Sequence, residues 1–123
     1  MKSLEDIFEL LDGILPADAK KTVVFCEVEK TAYEMFYYSY FADDSCKQCY
    51  EIADEGNIDA SALDAGFEKM SKFIKDCEGY NVDGRNVVTI SIEGTSEKVK
   101  MESYDKSVGL YKIKKEWKTN NLQ

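Results

Sequence analysis

The chain patterns as an α+β protein with a four-stranded, mostly antiparallel sheet and helices packed on it, in the order α-β-β-α-β-β-α. Two pairs of strand-like segments, 21–42 and 87–104, are each joined by a short turn, which makes antiparallel hairpins the natural connection. Apolar residues at helical spacing flank and separate the two pairs. A length of 123 residues fits one domain spanning 1–123. A domain of that size buries roughly two thirds of the surface its unfolded chain exposes, enough for a core without metal or disulfide staples.

Leu4, Ile7, Phe8, Leu11 and Ile14 recur at helical spacing, with Ser3 placed to cap the helix and Asp6 three residues on. Gly13 and Pro16 mark its end. Lys21 to Glu29 is rich in β-branched and apolar residues and predicts the first strand; Ala32 to Ala42 predicts the second, with Lys30-Thr31 between them. The expected sheet is covered on one face and carries tyrosines on the other. Residues 43–59 are polar and acidic, with a short helix near Cys46 to Ile52. Asp59 or Ser61 caps the next helix, whose stripe is Leu63, Phe67, Met70, Phe73-Ile74 and Cys77, and Gly79 ends it. Val87 to Glu93 and Glu97 to Tyr104 predict strands three and four around the turn Gly94-Thr95-Ser96, with Val99 and Met101 inward. Asp105 or Ser107 opens a last helix carrying Val108, Leu110, Ile113 and Trp117.

Twenty-four acids against sixteen bases leave a net charge of −8 and a pI near 4.6. Such a surface repels nucleic acid and anionic membrane and attracts a basic partner. No segment approaches a membrane span, and the N-terminus lacks the apolar core of a signal peptide, so a cytoplasmic location is expected. The four cysteines are then expected as thiols.

There is no histidine, which removes the commonest general base and the commonest metal ligand together. No glycine-rich phosphate loop occurs, and residues 54–64 place their acids and glycine at the wrong offsets for calcium. Cys46-Lys47-Gln48-Cys49 is the one motif with a chemical reading, as a metal or redox pair. A CxxC without two further ligands is a weak signal, so Cys46 and Cys49 are a weak metal candidate and no cofactor is expected. Cys26 and Cys77 are expected in the core. The paired carboxylates Asp43-Asp44 and Asp54-Glu55 lie in polar surroundings where nothing would raise a pKa, so no catalytic residue is expected and the chain is not read as an enzyme. The aromatic run 33–41 lacks the basic flanks that base stacking needs. Tyrosines beside acids suit a protein-binding face instead. The expected partner-binding residues are Asp43, Asp44, Glu51, Asp54, Glu55 and Asp59 with Tyr38 and Tyr40.

The run Leu15-Pro16, then Lys21-Thr22-Val23-Val24-Phe25-Cys26-Glu27-Val28-Glu29, then Tyr33-Glu34-Met35-Phe36-Tyr37-Tyr38 resembles the N-terminal half of YezG-like immunity proteins. The acidic loop, the helix holding Phe67-Glu68-Lys69-Met70 and the 87–104 hairpin follow in the same order, and Trp117 to Leu122 is similar to the family's closing aromatic–Asn–Leu stretch. The CKQC element and the end at Gln123 depart from that pattern. The resemblance implies an immunity protein that neutralises a cognate toxin domain, often a nuclease, of a contact-dependent or secreted polymorphic-toxin system. An acidic inhibitor can fill the basic substrate cleft of a nuclease. The alternative is an acidic secretion chaperone for an exported effector. A monomer or weak dimer is expected.

Overall fold

The computed structural model describes residues 1–122; Gln123 lies outside them. Strand β1 (Lys21–Val28) is buried on both faces along nearly its whole length, as its continuous run of strand-forming residues requires of a central strand. It pairs antiparallel with β2 (Tyr33–Tyr40) on one side and with β4 (Arg85–Glu93) on the other. β5 (Ser96–Tyr104) pairs with β4, and β3 (Cys46–Gln48) with β2, all antiparallel. The sheet order is β3-β2-β1-β4-β5. The expected hairpins are both present. In the first, Glu29 N–H donates to the Ala32 carbonyl at 2.8 Å across Lys30-Thr31. In the second, Gly94 supplies a φ of 61° beside the Glu93–Ser96 pair.

Five strands replace the expected four. β3 has only three residues, too few to show an alternating pattern, and its partner strand rather than its own composition holds it extended. It runs directly into α1 (Cys49–Asp54), followed by α2 (Ala60–Lys75) and α3 (Leu110–Asn121). The observed order is therefore a 3-10 helix, β1, β2, β3, α1, α2, β4, β5, α3. The N-terminal element, Leu4–Leu11, is wound as a 3-10 helix, and the Ser3 side chain makes no capping bond. Tertiary contacts hold its start: Lys2 N–H donates to Asp76 O at 3.0 Å and Glu78 N–H to Lys2 O at 3.3 Å. Tighter winding spans more length, about 2.0 Å per residue against 1.5 Å. Asp59 caps α2 as one of the two expected candidates, its Oδ2 accepting from Ala62 N–H at 3.2 Å. Neither Asp105 nor Ser107 caps α3; Asp105 Oδ1 accepts from Ser107 N–H in a turn, and Gly109 precedes the helix.

Residues opposite one another in an antiparallel pair share a face. Val24, Cys26, Tyr37, Val88 and Ile90 therefore lie on one face, which packs under α2 and the 3-10 helix through Leu63, Phe67, Met70, Ile7 and Leu11. α2 comes so close that a Cβ on Gly66 would stand 2.9 Å from Ile14 Cγ2. Ile14 in turn accepts a 2.6 Å hydrogen bond from the buried Tyr37 hydroxyl on its carbonyl. The other face is covered too. Trp117 of α3 meets Phe25 and Phe36 edge-on at 5.2 and 5.8 Å, and its Nε1 donates to Thr89 Oγ1 at 2.9 Å. The result is three layers, with α3 over what patterning expects to be a tyrosine face.

Candidate functional site

β3 leaves the sheet early. It pairs Cys46, Lys47 and Gln48 with Tyr40, Ser39 and Tyr38, and at Cys49 the chain turns into α1. Gln48 holds that turn, its Oε1 accepting from Tyr50 N–H at 2.8 Å as the helix cap. Residues 33–37 of β2 consequently have no strand on their outer side. Alternate residues of such an edge direct N–H and C=O groups outward.

A groove of about 400 Å³ lies at this vacancy. Tyr33, Glu34, Met35 and Phe36 form its β2 side, and Tyr50 of α1 with Asp64 and Phe67 of α2 stand across from them. The Tyr50 ring meets Phe67 edge-on at 6.5 Å, and its hydroxyl donates to Asp64 Oδ1 at 3.4 Å. Burial, with the neighbouring Cys49 and Asp64, pushes the Tyr50 phenol up to about 12, so it stays a donor at neutral pH. Tyr33 and Tyr50 are 43% and 41% exposed, among the few large apolar side chains left to solvent.

None of the residues expected from sequence lines this groove, and most are engaged within the fold. Asp43 Oδ1 accepts from the Ser45 hydroxyl and N–H at 2.6 and 3.0 Å, which holds its carboxyl below the usual range. Asp44 pairs with Lys20 Nζ at 3.0 Å, and Glu55 with Lys47 Nζ at 2.9 Å. Asp59 is the α2 cap. Glu51 and Asp54 are exposed on α1, and their carboxylates accept no hydrogen bond from the described residues. Tyr38 and Tyr40 are half-buried on the α3 face, not freely exposed. Lys118 Nζ sits 5.9 Å from the Tyr38 ring and Lys21 Nζ 6.0 Å from that of Tyr40. The exposed tyrosines are Tyr33, Tyr50 and Tyr111 instead.

Sequence reasoning missed Tyr33, Tyr50, Asp64 and Gln48. Their meeting depends on β3 stopping at Gln48, and no local signal marked that, because Gln is not a favoured N-cap residue.

At the hairpin end of the sheet lies a second cluster that patterning did not single out. Glu27 is 1% exposed, and its Oε2 has no hydrogen-bond partner. Arg85 Nη1 stands 3.9 Å from Glu27 and 2.8 Å from Glu29, while Lys114 of α3 pairs with Glu34. Burial first, then the adjacent Glu29 carboxylate, pushes Glu27 up to about 8, against the pull of Arg85. Three carboxylates face two cations here, and a proton on Glu27 balances them.

Cys46 is exposed and Cys49 buried, both as free thiols. Burial pushes the Cys49 thiol up to about 11, so it is protonated at neutral pH. Cys26 and Cys77 are core residues, as expected. Among the described residues no three His, Cys, Asp or Glu side chains are grouped to hold a metal ion, and no helix is long and apolar enough to cross a membrane. The architecture is an α+β fold with an open five-stranded antiparallel sheet. No protein-family model and no curated protein matches the chain.

Proposed function

We propose that this chain is an immunity protein of the YezG-like type, which binds a cognate basic toxin domain, such as a nuclease, and blocks it by occupation without transforming any substrate. The observation that carries the reading is a meeting of rings and acids at an incomplete sheet edge. Tyr33 and Tyr50 are exposed there, and α1 beside them carries the exposed Glu51 and Asp54, on a chain of net charge −8. Aromatic anchors with charge complementarity are what a fast, tight protein inhibitor needs.

Co-expression with the toxic domain encoded beside this chain tests the reading. Growth should be restored, and reversing charge with Glu51→Lys and Asp54→Lys together should slow association by roughly tenfold at low salt. Cells that die equally with and without the chain would remove the proposal. The alternative, a secretion chaperone, draws on the open outer edge of β5, since such chaperones dimerise. A strict monomer by light scattering counts against it.

A further inference from the structure

The geometry points to the vacant lane beside residues 33–36 of β2 as the docking site, and to its occupant as an extended basic segment of the toxin domain, added to the sheet as a short strand. This rests on the toxin-binding reading above and says where and how that partner engages.

β3 begins to fill the lane and abandons it after three residues, so one register of the sheet is half built. The free stretch is residues 33–36, because Tyr37 is fully buried and its backbone amide is taken up by Cys49; at about 3.3 Å per residue it is about 13 Å long and accepts a strand of about four residues. The main chain of such a strand would satisfy the outward backbone groups of β2, the usual source of affinity in strand addition.

Side-chain alternation then sets the chemistry of the guest. Residues directed to the α2 side meet the rings of Tyr33, Tyr50 and Phe67 and are apolar. Residues directed to the α3 side meet Glu34 and Gln48, with Lys118 Nζ 5.7 Å from the Phe36 ring further along, and are basic where they reach Glu34. Lys114 engages Oε2 of Glu34, and Oε1 makes no hydrogen bond with a described residue. Asp64 adds a second carboxylate at the α2 rim. Lysine or arginine alternating with aliphatic residues is the pattern that fits. The outer edge of β5 is also open, but its exposed residues include Glu97, Lys98, Lys100 and Glu102, mixed charges that discourage strand pairing.

The test titrates the full-length 15N-labelled chain with a capped hexapeptide of alternating lysine and valine, and with its glutamate–valine counterpart. The basic peptide should shift the amides of residues 33–36 and 48–50 and protect Tyr33 and Met35 from exchange, while the acidic one does neither. Tyr50→Ala with Asp64→Lys should weaken basic-peptide binding at least tenfold; Glu97→Lys on β5 should leave it unchanged. No response to the basic peptide at millimolar concentration, equal response to both, or shifts confined to β5 would overturn the site. Concentration-dependent shifts of the same amides without peptide would assign the lane to a second copy of the chain and overturn the basic occupant. Growth rescue separates the two readings. Full rescue by the Tyr50→Ala, Asp64→Lys variant removes this site and keeps the immunity reading; absence of rescue by the unaltered chain removes the immunity reading alone.

Discussion

The two ends of the β1–β2 hairpin use the same residue types in opposite ways. At the open end, Lys20 pairs with Asp44 and Lys47 with Glu55, in water. At the turn end, Glu27, Glu29 and Glu34 meet Arg85 and Lys114 with Glu27 almost fully enclosed. Water screens the first set, so its pairs add little and can be exchanged for a partner's charges. Desolvation makes the second set demanding, because a buried charge that loses its counter-ion cannot be rescued by solvent. Net charge therefore says little about which acids hold the fold and which are free to bind.

Removing Arg85 should expose that contrast most strongly. Arg85→Ala should cost about 2–3 kcal/mol at pH 7, less than the ~3–5 kcal/mol of a fully ionised buried pair, because Glu27 already carries a proton. Urea unfolding at pH 7 measures it, and the loss should deepen above the pH at which Glu27 ionises. A cost no larger than that of a surface substitution would mean the turn end is as wet as the open end.

The pH dependence comes next. Glu27 holds its proton more tightly folded than unfolded, so the folded chain carries the extra proton between about 4.5 and about 8. The stability contribution is complete below about 4.5 and declines as pH rises through about 8. Glu27→Gln keeps the shape without the titration and should flatten this part of the stability–pH curve. Persistence of the same slope in that variant would assign it to another group.

At the open end the expected effect is the smallest. A double-mutant cycle on Lys20 and Asp44 should give about 0.5 kcal/mol or less at low salt, vanishing at high salt. A coupling that survives high salt would erase the distinction between the two ends.

Much of this architecture could be read from the residues. β1, β2 and β4 follow from runs of Val, Ile, Phe and Tyr, β5 from the alternation of Val99 and Met101 with charged residues, and α2 from the spacing of Leu63, Phe67, Met70 and Ile74, because burial imposes those periods directly. β3 could not be read, since three residues hold no period and their extension comes from β2. The winding of 4–11 was equally hidden, because a spacing of three suits both helix types and the added spacings of four point to an α-helix. Asn86 makes a similar point. It is a fully buried polar residue at the strand start whose Nδ2 bonds Val28 O and Asn81 O while its Oδ1 accepts from Asn81 N–H and the Ser103 hydroxyl. Sequence shows only an asparagine near a turn.

At the candidate site the balance reverses. The acidic segment was legible, yet four of its six chosen acids serve turns, caps and ion pairs, and Tyr38 and Tyr40 shelter on the α3 face. The groove draws on residues 33–36, 48, 50, 64 and 67, which come together only through sheet order and the placement of α1 and α2.

Composition and periodicity alone determined that this chain folds as an α+β protein, lacks histidine chemistry and carries a strong negative charge, because each of those depends on residue type or on neighbours within a few positions. Tertiary structure decided which carboxylates are spent inside the fold, which tyrosines reach solvent and where the sheet is left unfinished. Those outcomes depend on which segments become spatial neighbours, and local residue patterns carry no record of that.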